Sequence, residues 1–226
     1  MPRPLPVLLA IAAIAWACSA PSSPVGSGQS PSAVTQTPAG TAVTGCAGDA
    51  SAEDVARARA LIDATDTGDQ QTITALQDIR FTNAGTLAAC QRLNEGAVGD
   101  ALWAATWIYV SSGTEPTPLL PLLANDDPSV RVLAAAGLTS LGRLEGLDAL
   151  VDLITVDAGL RGSLPPLTVP EFAAATLSRY TDAAVGDAAT STTEERTAAA
   201  AGWSSWLQDN RDRLLFDGER QMWAVK

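Results

Sequence analysis

Residues Thr117 to Thr155 read TPLLPLLANDDPSVRVLAAAGLTSLGRLEGLDALVDLIT, and this stretch decides the fold. A short Leu-rich helix ends at Ala124, and Asn125-Asp126-Asp127-Pro128 forms a turn rich in helix-starting residues. A second helix then places Val130, Leu133, Ala134, Gly137, Leu138 and Leu141 at i, i+3, i+4, i+7, i+8 and i+11, one continuous apolar stripe. Ala134, Ala135 and Gly137 are small enough for another helix to approach closely. Gly142 stops that helix, and Leu144, Leu147, Leu150, Val151 and Ile154 begin the next.

The same texture extends to both sides. Ser51 with Glu53 and Asp54 opens a helix carrying Val55, Ala58, Leu61 and Ile62. Gly68 and Asp69 then read as a stop and a new cap before Ile73, Leu76 and Ile79. Thr86 to Leu93 forms a further helix, and Gly99 to Val110 another that is apolar nearly all round, as a helix sandwiched between neighbours must be. Thr193 to Phe216 reads as one long amphipathic helix or two shorter ones that cap the end, with Gln221 to Lys226 lying extended over the cap. The residues are 46% apolar but only 5% aromatic, a share dominated by helix-favouring Ala and Leu. The expectation is an all-α domain spanning residues 46–226.

Asp127-Pro128-Ser129-Val130-Arg131, Ala134-Ala135, Leu138 and Leu141-Gly142 follow in the order of a HEAT repeat, and the segment resembles the short bacterial type found in PBS-lyase-type proteins. Weaker copies flank it. Ala104-Ala105 precedes Ala134-Ala135 by 30 residues, and Phe172-Ala173-Ala174 with Leu177 follows the corresponding residues at an offset of 39. The pattern covers Thr86 to Asp182, with a non-repeat insertion near Val156 to Pro170. The resemblance implies a short α-solenoid of helical hairpins, in which Asp127 pairs with the arginine of a neighbouring turn, here Arg131. Trp203-x-x-Trp206 with Asn210-Arg211-Asp212-Arg213 is similar to the closing segment of such proteins.

Ahead of the helices, residues 1–17 carry one basic residue, Arg3, then an apolar run from Val7 to Ala17, which is the layout of a signal peptide. Ile14-Ala15-Trp16-Ala17-Cys18 resembles a bacterial lipobox, although Ala15 stands where Leu is usual and Trp16 is bulky for its place. The resemblance implies lipid attachment at Cys18 and an anchor in a bacterial membrane, on the extracytoplasmic side of the cell envelope. An ordinary secretory cut near Ala17 would instead release the protein. Residues 18–45 contain no charge and are rich in Ser, Pro, Thr and Gly, the composition of a disordered tether. Export places Cys46 and Cys90 where a disulfide persists; the alternative is that Cys90 is a small buried apolar residue.

Charge and residue types exclude much. Lys and Arg number 14 against 25 Asp and Glu, and no basic stripe interrupts this balance, which argues against a nucleic-acid partner. The chain has no histidine, so Ser-His-Asp and Cys-His nucleophiles and His-ligated zinc are absent from its repertoire. Asp126 and Asp127 form a visible carboxylate pair, better explained as helix capping. Asp63, Asp66 and Asp69 lack the alternating spacing and distal Glu of an EF-hand loop. No catalytic residue, metal site or cofactor is assigned. Of the six Trp, Trp103 and Trp107 sit one turn apart on the apolar helix and read as core. Trp203, Trp206 and Trp223 are the candidates for an exposed patch that meets a partner. The expected function is a non-catalytic, membrane-tethered interaction scaffold for another envelope protein or peptide. The alternatives are a small-molecule-binding or lyase-like HEAT protein and a spacer without a specific ligand.

Overall fold

The computed structural model describes residues 46, 48–163, 165–183, 185 and 192–226. The signal peptide, Cys18 and the tether lie outside the described residues. Within them the chain is mostly helical, with eight α-helices and one two-stranded sheet. The helices are α1 (Ala52–Asp63), α2 (Gln70–Ile79), α3 (Asn83–Asn94), α4 (Gly99–Ser112), α5 (Pro128–Ser140), α6 (Leu144–Leu153), α7 (Val169–Tyr180) and α8 (Thr193–Asn210). Short 3-10 turns occupy Leu120–Ala124 and Arg211–Arg213, and the sheet pairs β1 (Leu214–Asp217) with β2 (Met222–Val225). No helix among the described residues is long and apolar enough to cross a membrane.

The boundaries of α5 follow from local chemistry. The Asp127 side chain accepts from the Ser129 N–H at 2.8 Å, satisfying one of the orphan donors at the helix start, and Pro128 occupies the first turn, where its missing N–H is harmless. At the other end Gly142 adopts φ +73°, while Arg143 N–H donates to the Leu138 carbonyl and Gly142 N–H to that of Thr139. That is the Schellman arrangement, and it satisfies two carbonyls the helix leaves open. The expected stripe is buried at Val130, Leu133, Ala134 and Leu138, but Val132, Ala135 and Thr139 are buried too. Neighbours therefore cover α5 on several sides. Gly137 shows how closely one comes: a Cβ there would lie 2.7 Å from Cγ1 of Val110 and 2.8 Å from Cδ1 of Leu119.

Helices pack mostly on those one or two places away along the chain: α3 on α4, α4 on α5, α5 on α6 and α6 on α7, with α1 on α3, α5 on α7 and α6 on α8; α1 also reaches α4. α1 and α3 lie parallel. Asn83, opening α3, donates to the Asp49 carbonyl just ahead of α1, while at the far ends Arg92 reaches Asp63 at 2.7 Å and Arg59 pairs with Glu95. One hydrophobic core runs from Ala58 in α1 to Trp223 in β2. Cys46 and Cys90 lie at disulfide distance, with Sγ–Sγ 2.11 Å and Cα–Cα 5.7 Å, which fastens the first described residue to α3.

Two expectations change. The Leu-rich piece before the Asp-Pro turn is a 3-10 turn of five residues, because Pro118 and Pro121 withhold the N–H groups a longer helix needs. The final helix stops at Asn210 rather than Phe216, and Leu214 to Val225 fold back as a hairpin, with Leu214 opposite Val225 and Asp217 opposite Met222. Leu and Phe followed by Asp217-Gly218 favour that reversal over a continued helix.

Candidate functional site

Four segments distant in sequence converge at one end of the molecule. Thr67 lies in the turn before α2, Asp100 in the first turn of α4, Asp127 at the cap of α5, and Arg161 in the loop between α6 and α7. The Arg161 guanidinium sends Nη1 to Asp100 and Nη2 to Asp127 at 2.9 Å, so one cation bridges two carboxylates. Both acids are already fixed by backbone. Asp100 Oδ2 accepts from the Thr67 N–H at 3.0 Å and from its hydroxyl at 3.2 Å, and Asp127 accepts from Ser129. The Thr67 N–H, its hydroxyl and the Arg161 charge hold the Asp100 carboxyl below its ordinary value. Such a group stays ionised near neutral pH, facing the Arg161 charge.

The loop that carries Arg161 is itself ordered by hydrogen bonds. Arg161 N–H donates to Ser129 Oγ at 3.0 Å, Leu160 N–H to the Leu167 carbonyl at 2.8 Å, and Val169 N–H to that of Ala158 at 2.9 Å. Ser163 Oγ accepts from Leu167 N–H and donates to the Leu160 carbonyl, closing the tip. Gly162, at φ +68°, rests on the indole of Trp103, where a Cβ would come within 2.5 Å of Cζ2. Only glycine satisfies both the backbone angle and the contact. Below it Trp103 and Trp107 stack with centroids 5.5 Å apart and planes 17° from parallel, and the Arg80 guanidinium lies 4.9 Å from the Trp107 ring. The Trp103 Nε1 is buried with no hydrogen-bond partner among the described residues.

The tryptophans proposed for a partner surface are placed differently from that expectation. Trp203 is 0% exposed and Trp223 4%, so both belong to the core, and Trp206 is half-buried edge-on against Trp203 at 5.9 Å. Trp223 Nε1 donates to the Thr139 carbonyl. The reason is the hairpin, which turns Trp223 inward where an extended tail would leave it at the surface. The pairing of Asp127 with Arg131 is also corrected: its partner is Arg161, brought up by the insertion from a position 34 residues away. A side chain in a long insertion leaves no periodic signal, and its length alone hints that it does something.

The three spaced aspartates serve the helix ends. Asp69 caps α2 through the Gln71 N–H at 2.9 Å, Asp66 accepts from the Gly68 N–H, and Asp63 faces Arg92. Asn94 Nδ2 donates to the Cys46 sulfur at 3.1 Å. Two surface clefts add recesses. One of about 410 Å³ lies between the start of α1 and the α2–α3 turn, floored by Ala58, Ile79 and Ala84. One of about 270 Å³ lies between α6 and α8, with Asp148, Asp152 and Arg211 around Val151 and Leu207. No family model, no curated protein and no solved structure matches this chain.

Proposed function

We propose that the protein is a short HEAT-like solenoid, exported and tethered to a bacterial membrane through a lipid on Cys18, that acts as a non-catalytic interaction scaffold for another envelope protein or peptide. What supports the solenoid reading is the helix order. From α3 to α7 each helix packs on the next along the chain, and α1 on α3, α5 on α7 and α6 on α8 add contacts two places apart. The observation that carries the scaffold reading is the Asp100–Arg161–Asp127 bridge, which stitches the turns of successive hairpins into one edge. An array of stitched turns presents an extended surface without enclosing a reaction chamber.

Photo-cross-linking in the native host followed by mass spectrometry tests the scaffold reading; the expected result is one or a few reproducible envelope partners, and recovery of none counts against it. Mass analysis of the mature N-terminus tests the anchor. A diacylated Cys18 is expected, and an unmodified terminus or a start elsewhere sinks it.

A further inference from the structure

We propose that the Asp100–Asp127 pair and the Trp103 ring against Gly162 form a docking site for an arginine-glycine segment of a partner protein, which residues 158–163 occupy as an internal stand-in. The inference rests on the interaction-scaffold reading and names the chemistry of the partner.

The argument begins with what remains if the strap leaves. Asp100 keeps the Thr67 N–H and hydroxyl, and Asp127 keeps the Ser129 N–H, so the two carboxylates stay in place without Arg161. The stacked Trp103 and Trp107 belong to α4 and are held by the core. Ser129 Oγ, which takes the Arg161 N–H and faces the Gly159 carbonyl at 3.4 Å, remains to pair with an incoming backbone. Trp103 Nε1 has no partner among the described residues, a buried donor suited to a carbonyl. A preorganised site of this kind selects its occupant by charge and by shape. Two fixed carboxylates take a forked guanidinium, and an indole that leaves no room for a Cβ takes glycine.

The strap is the more exposed part of this site, although Ala158 and Leu160 pack against the core. Its tip, Leu160 to Ser163, is only partly buried, and the Arg161 side chain retains 34% exposure where it meets the acids. Its backbone bonds are mostly internal to the loop, so it can lift as a unit while the helices stay packed. An occupant that must first displace the strap binds in proportion to the open fraction, and weakening the strap raises its apparent affinity.

The test uses the mature full-length chain and a labelled peptide of sequence DAGLRGS, copied from residues 157–163, with DAGLAGS as its control. Arg161→Ala removes the latch, and Gly162→Ala drives the tip off Trp103 while leaving every charge in place. The expected result is that both variants bind DAGLRGS at least about tenfold more tightly than the wild type, with DAGLAGS binding to none. Acrylamide quenching of Trp fluorescence is expected to rise in both variants and fall when DAGLRGS is added. Should Arg161→Ala fail to fold, Gly162→Ala carries the comparison. Absence of DAGLRGS binding to a folded variant overturns the proposal. So does exchange of the Leu160, Arg161 and Leu167 amides only at the rate of global unfolding, which would make the strap a permanent part of the fold. Peptide binding without any cross-linked partner in cells supports the site while removing the scaffold reading. Partners in cells without peptide binding overturn the site alone.

Discussion

The indole N–H of Trp223 donates to the backbone carbonyl of Thr139 at 3.2 Å, joining the last turn of the fold's clearest helix to a strand 84 residues later. The Thr139 carbonyl sits in the last turn of α5 and already accepts from the Gly142 N–H, so the indole adds a second bond at the helix end. Trp223→Phe is expected to lower unfolding free energy by about 1 kcal/mol, for the lost hydrogen bond. Trp223→Ala is expected to cost about 3–5 kcal/mol, since it also empties space beside Phe216. Urea unfolding of the two variants separates these terms; a Trp223→Phe variant as stable as the wild type would mean the hydrogen bond contributes nothing, and equal losses in the two would mean the packing contributes nothing.

Replacing both Cys46 and Cys90 with Ser reopens a loop of 44 residues in the unfolded chain. The chain-entropy model puts the loss at about 4 kcal/mol. The check is the difference in unfolding free energy between oxidised wild type and the double variant, and a difference near zero would refute the bond.

Gly146 of α6 lies so close to α5 that a Cβ would sit 2.5 Å from the Thr139 nitrogen and 2.6 Å from the Ala135 carbonyl oxygen. Gly146→Ala raises helix propensity, yet backbone on the far side leaves no room to yield. The expected outcome is a net loss of about 1–3 kcal/mol, read from thermal or urea melts. A variant more stable than the wild type would show that the two helices can separate at little expense.

The Asp100 carboxyl, held below 3.8 by Thr67 and Arg161, makes stability depend on acidity. A group whose folded value is depressed contributes above its unfolded value and loses that contribution as pH falls through the folded one. Asp100→Asn should therefore be less stable than wild type at pH 6 by about 1–2 kcal/mol, and the gap should close below about pH 3.8. A gap that is unchanged on acidification would place the effect of the substitution elsewhere.

How much of this was readable in advance depended on range. The start and stop of α5 were legible because Asp127, Pro128 and Gly142 act on their own backbone neighbours. The approach of other helices to Gly137 was legible from its size, and the Cys46–Cys90 proximity from the expectation of export and the number of cysteines. What escaped were relations set by tertiary packing. Arg161 meets Asp100 across 61 residues, and nothing local to it announces that partner. Trp203 and Trp223 looked like a surface patch because aromatic residues near a terminus carry no marker of the side they face. The hairpin at Leu214 to Val225 did leave a signal, Asp217-Gly218 between two short apolar runs, but the helical pattern before it dominated.

The Cys46–Cys90 link also governs how the domain responds to tension. When the chain ahead of Cys46 is pulled, force crosses the sulfur–sulfur bond directly into the middle of α3. Residues 47–89 then form a slack ring outside the load path, so α1 and α2 are spared from being peeled away one turn at a time. Mechanical failure of the oxidised domain must begin in α3 or beyond it.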